Sequence, residues 1–138
     1  MIEILLGTVL AIGTICIFRM MAGKRERTNY AIALIIAALI YVGFSLFADD
    51  SRWILIELVG VAIYLVFAIL GLRYSAWFLA LGWVAHIVWD MGLHTSPAIL
   101  FVPKWYPLLC VAYDVVIAGY IAFRNLRQVD SELVEVQP

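Results

Sequence analysis

Five long apolar runs, residues 2–21, 30–48, 53–72, 76–93 and 105–123, take up most of this 138-residue chain. Each is close to the ~20 residues a helix needs to cross ~30 Å of hydrocarbon. A backbone in lipid must satisfy its own hydrogen bonds, and the runs lack the short alternating segments of a transmembrane barrel, so helices are expected. Chain-breaking residues fall between the runs, at Gly23, 49–51, 73–75 and 95–103. Pro107 falls in the first turn of the last run, where a missing amide hydrogen is tolerated. The expected fold is an all-α integral membrane bundle of five transmembrane helices, residues 1–124. A short cytoplasmic tail, 125–138, carries Asp130, Glu132 and Glu135 and prolongs the last helix.

Composition removes the main alternatives. The chain is 66% hydrophobic, well above the ~45–50% of a soluble domain, and is too short for the surplus to be hidden in a large core. Nine Lys+Arg against ten Asp+Glu leave a net charge of -1 with no basic patch, so nucleic acid is not an expected partner. Two cysteines without a CxxC pair exclude a disulfide scaffold or a cysteine-based zinc site, and Cys16 and Cys110 belong to opposite halves of their spans. The first run is preceded by Glu3, and its basic cluster follows it. That order belongs to an anchor and not to a cleaved signal peptide.

The basic residues set an orientation, because the loops are short enough for the positive-inside bias to act. Arg19, Lys24, Arg25, Arg27, Arg73, Arg124 and Arg127 fall on one side of the five spans; Arg52 and Lys104 fall on the other. The N-terminus is therefore expected outside and the C-terminus in the cytoplasm, in a multi-pass protein of a bacterial inner membrane. Trp53, Tyr74, Trp77 and Trp105 are placed as interfacial anchors, and Gly7, Gly13 and Gly60 as close-packing positions. The 95–103 connection holds five consecutive apolar residues, 98–102, between Pro97 and Pro103. It reads either as an interfacial flap or as an apolar loop resting on headgroups.

Three carboxylates interrupt the apolar runs: Glu57 in the third, Asp90 in the fourth and Asp114 in the fifth; His86 joins them in the fourth. Such groups cost a few kcal/mol at the bilayer centre, so they face the bundle interior, pair with one another and mark functional sites. At ~1.5 Å of rise per residue, Glu57 and Asp90 lie roughly 6 to 8 Å from the outer ends of their helices, and His86 and Asp114 roughly 13 Å. Glu57 is therefore expected to meet Asp90, and His86 to meet Asp114. Residues four apart share a helix face, which puts His86, Asp90 and His94 in one stripe, with His94 at the rim. Tyr106 and Cys110 align with Asp114, and Tyr64 with Glu57. A polar cavity between the third, fourth and fifth helices is expected, with Tyr64, Trp83, Trp89, His94, Tyr106, Cys110 and Tyr113 as substrate-binding walls.

Buried carboxylates beside a histidine can separate into a proton donor and a proton acceptor. An apolar molecule between them can be protonated and deprotonated, so isomerisation, cyclisation or hydration of a lipidic substrate is the first reading. Asp90 and Asp114 are its candidate donor and acceptor, His86 tunes them and Glu57 completes the site, with no cofactor. The second reading is a metal site or an ion- or proton-coupled carrier that uses His86, Asp90, Asp114 and Glu57 as ligands or relay. A third makes the four a structural polar network between helices. Membrane lipids, a hydrophobic small molecule and further copies of the chain, as a homo-oligomer, are the expected partners.

The segment His86-Ile-Val-Trp89-Asp90, with His94, the proline-flanked stretch 103–107 and Asp114 after it, resembles small bacterial integral membrane proteins of no assigned function. The histidine and carboxylate four apart also look like the arrangement in emopamil-binding-type sterol isomerases. That resemblance implies double-bond migration by proton transfer at His86 and Asp90.

Overall fold

Helix α1 (Ile2–Ala22) has Glu3 in its first turn and Arg19 in its last, each charge opposing the helix dipole at its end. Helix α2 (Glu26–Ser45) buries one face, through Tyr30, Leu34, Ala38, Tyr41 and Ser45. Helix α3 (Arg52–Arg73) starts after Asp50. The Asp50 carboxylate accepts from the Arg52 amide at 2.9 Å and from its guanidinium at 2.8 Å. Those two bonds, the guanidinium first, hold the Asp50 carboxyl below the usual carboxylate range. Ser75 caps α4 (Ala76–Trp89) by accepting from the Trp77 amide. The same helix then widens into a single π-helical stretch, Asp90–His94. Helix α5 (Tyr106–Glu135) closes the bundle.

In this computed structural model the described backbone comprises residues 1–22, 25–96 and 99–135, with side chains through residue 128, except that of Ala22. Lys24 of the basic cluster, Pro97 and Ala98 of the flap, and the side chains of Asp130, Glu132 and Glu135 lie outside the described residues. Five helices are long and apolar enough to cross a membrane, and no strand occurs among the described residues.

Helix α5 packs on α1 and α4, and α3 packs on α2 and α4. The main core lies between them, where Leu34, Leu79, Trp83 and Ile117 are fully buried. A second cluster sits at the Arg52 end, where Ile99 and Val102 of the 99–102 segment fold in against Tyr41. The apolar flap is thus a plug on the bundle and does not rest wholly outside it; among its described residues only Leu100 turns fully out. Outward faces carry Val9, Ile36, Leu55, Val66, Val88 and Val115, each more than half exposed. Apolar exposure on every helix suits a multi-pass membrane protein and would expose a soluble domain to aggregation.

Two of the three packing glycines behave as expected. A β-carbon at Gly7 would run into the Leu109 carbonyl on α5, and one at Gly60 would come within 2.9 Å of the Trp89 indole. Gly13 is a correction: nothing lies within 4 Å of the position its β-carbon would take, so it makes no close approach. Both cysteines are free, Cys16 exposed and Cys110 buried.

Candidate functional site

Helices α3, α4 and α5 bring Glu57, His86, Asp90, His94 and Asp114 into one buried cluster, none of them more than 4% exposed. Asp114, on α5, lies opposite His86 on α4, with its Oδ2 2.8 Å from Nδ1. This is the contact expected from matching depths. Asp90 is one helical turn further along the same face, its Oδ2 3.7 Å from the same His86 nitrogen.

The expected meeting of Glu57 with Asp90 is not found. Glu57 Oε1 instead lies 2.8 Å from His94 Nε2, and the Trp89 indole donates to Oε2 at 3.2 Å. The π-helical stretch explains this. A π turn takes more residues than an α turn and re-aims the side chains beyond it, so His94 swings into the bundle and meets Glu57 there. Gly60 clears the space for the Trp89 ring to lie across α3 on its way to the same carboxylate. The rim position expected for His94 is therefore a correction: the residue is 4% exposed and walled in.

Its wall includes a residue that sequence reasoning missed. Tyr41 of α2 stacks on the His94 ring, with centroids 4.1 Å apart and planes 14° from parallel. Tyr41 also stands 5.8 Å from the His86 ring and 5.5 Å from Tyr106. The signal was present in the spacing 30, 34, 38, 41, 45, which is the buried face of α2. With no ionisable carboxylate or imidazole in that run, nothing set Tyr41 apart from an ordinary core tyrosine.

The remaining candidates divide. Tyr64 packs 5.1 Å from the His86 ring, and Tyr106 and Cys110 lie on the α5 face that leads to Asp114. Trp83 and Tyr113 belong elsewhere: their rings pack together at 5.8 Å, and the Tyr113 hydroxyl donates to Thr14 on α1. Cavities of about 280, 200 and 310 Å³ exist, and all three are bordered by other residues. The five ionisable residues themselves form a buried cluster under the 99–102 plug.

The order across the site is carboxylate, imidazole, carboxylate, imidazole, carboxylate: Asp114, His86, Asp90, His94, Glu57. The central member is anomalous. Asp90 is 0% exposed, and neither of its oxygens accepts a well-formed hydrogen bond from the described residues. The imidazoles on either side stand off from it, His86 Nδ1 at 3.7 Å from Oδ2 and His94 Nδ1 at 3.9 Å from Oδ1. An unpaired buried carboxylate costs several kcal/mol. His86, Asp90 and Asp114 form a buried group whose ligand atoms lie within 4.8 Å of one another, and such a group can hold a metal ion. Around an ion with ~2.1 Å bonds, tetrahedral ligand atoms lie about 3.4 Å apart. The separations of 2.8 and 3.7 Å fall on either side of that figure.

The sequence from residue 2 to 127 matches a family described as a family of unknown function, DUF6010. The chain belongs to that family. No curated protein and no solved structure matches it. The match takes in the first four helices and the fifth as far as residue 127, so every residue of the cluster lies within the family's span.

Proposed function

We propose that this protein is a metal-dependent enzyme of the bacterial cytoplasmic membrane, its N-terminus outside and its C-terminus cytoplasmic. It performs acid-base chemistry on a lipidic substrate reached from the outer leaflet. The observation that carries the reading is Asp90, buried among two further carboxylates and two histidines whose nitrogens approach its oxygens only to 3.7 and 3.9 Å.

Charge counting gives the argument its direction. Three carboxylates and two imidazolium rings still sum to one negative charge, so the cluster needs another cation. A divalent ion on His86, Asp90 and Asp114, with His94 protonated between Asp90 and Glu57, brings the sum to zero. The spacing agrees. The 3.7 Å gap between His86 Nδ1 and Asp90 Oδ2 is too wide for a hydrogen bond and suits two ligands of one ion. Held by His86, Asp90 and Asp114, such an ion would supply Lewis acidity toward a substrate oxygen. The adjacent pair His94 and Glu57 then takes up or returns the proton. A conduit is the weaker alternative, because Leu79, Trp83 and Ile117 close the bundle with apolar bulk on the Arg124 side of the cluster.

A second reading replaces the ion with a proton on Asp90, which also neutralises the cluster when both histidines are charged. The two 2.8 Å imidazole–carboxylate pairs favour it, as does the resemblance of His86 and Asp90 to the sterol isomerase arrangement. Elemental analysis of protein purified in detergent without chelator separates the two. The metal reading expects about one divalent transition ion per chain, falling to about a tenth or less in Asp90→Asn and Asp114→Asn. Wild-type protein that carries no ion and takes none up on dialysis against zinc, iron or manganese overturns it in favour of the proton.

A further inference from the structure

At the opposite end of the bundle a cavity of about 280 Å³ opens between α2, α4 and α5. Its border carries Glu26, Arg27, Tyr30, Arg124 and Asn125, with Leu79 and Ile121 among its apolar members. Glu26 is already engaged. Its Oε1 accepts from the Tyr120 hydroxyl at 2.7 Å, and its Oε2 lies 3.5 Å from the Arg124 guanidinium. Two buried donors on residues that border this cavity have no hydrogen-bond partner among the described residues: Arg27 Nε and the hydroxyl of Tyr30, a residue only 2% exposed.

With two guanidinium groups and one carboxylate the cavity has a surplus positive charge, and its two unpartnered donors require an acceptor. The planar guanidinium suits an oxyanion with several oxygens. We propose that this cavity binds a phosphate group through Arg27 and Tyr30. Its volume exceeds that of the bare ion, and its apolar members leave room for the ester portion of a phosphate-bearing molecule. This site is separate from the Asp90 cluster, and the two proposals succeed or fail independently.

The full chain, held in an uncharged maltoside detergent, is titrated separately with inorganic phosphate and with short-chain phosphatidylglycerol, and binding is read by calorimetry and native mass spectrometry. Saturable binding is expected, weakened about tenfold by Arg27→Gln, which removes a charge-assisted bond. Tyr30→Phe deletes only a hydroxyl that has no partner among the described residues, so the fold tolerates it; about fivefold weaker binding is expected. If both ligands bind, or the lipid alone, the source is a headgroup; if inorganic phosphate alone binds, it is a free phosphate. Absence of saturable binding to either ligand overturns the proposal. So does binding that Tyr30→Phe leaves unchanged.

Discussion

Trp89 shows how much one side chain can decide in this bundle. Its indole crosses from α4 to α3 and donates to Glu57, the same carboxylate that His94 engages. Trp89→Phe keeps an aromatic ring and removes the donor, leaving a buried carboxylate one bond short. A loss of about 1–2 kcal/mol is expected, seen as a fall of a few degrees in the thermal unfolding midpoint in detergent. An unchanged midpoint would show that the bond adds nothing to stability. At this scale Glu57, His86, Asp90 and Asp114 were legible because a charge inside an apolar run is conspicuous. Tyr41 and the burial of His94 were not, because a tyrosine in a span is ordinary and a histidine near a helix end reads as a surface group.

Among the elements, the α3–α4 contact depends on the absence of a side chain at Gly60. Gly60→Ala brings a methyl group to within 2.9 Å of the Trp89 indole, so the ring has to shift and the Glu57 bond weakens. We expect a cost of about 1–3 kcal/mol from overpacking. Gly13→Ala in α1 is the contrasting case: it meets nothing within 4 Å, and alanine is the better helix former by about 0.5–1 kcal/mol. An unchanged or slightly raised midpoint is expected there. Thermal melts of the two variants side by side distinguish a packing glycine from a tolerated one, and equal shifts would contradict the assignment. Helix lengths and interruptions were readable in advance from hydropathy. The π-helical stretch was not, since nothing in Asp90-Met-Gly-Leu-His94 marks a change of helical repeat, and this local widening selects the partner of Glu57.

For the whole molecule, the proposed orientation has a direct test. With both native cysteines replaced by serine, single cysteines at Arg52 and Lys104 are expected to react with an impermeant maleimide in intact cells. Cysteines at Arg73 and Arg127 are expected to react only after the membrane is opened. The reverse pattern would invert the topology and place the Asp90 cluster nearer the cytoplasmic leaflet. The plug matters at this scale too, because Phe101 packs against both Trp53 and His94 and so lies between the cluster and the Arg52 end.

Hydrophobic run length and charge placement determined five helices, their order and the burial of four ionisable residues. Those properties come from the local cost of exposing backbone or charge to hydrocarbon, which each segment meets on its own. Tertiary structure decided which imidazole meets which carboxylate, that Tyr41 of α2 joins them, and that both imidazoles stand 3.7 to 3.9 Å off from Asp90. Such pairings depend on angular differences of a fraction of a helical turn between neighbouring helices, and on a glycine that admits an indole. A linear pattern of residues does not encode either.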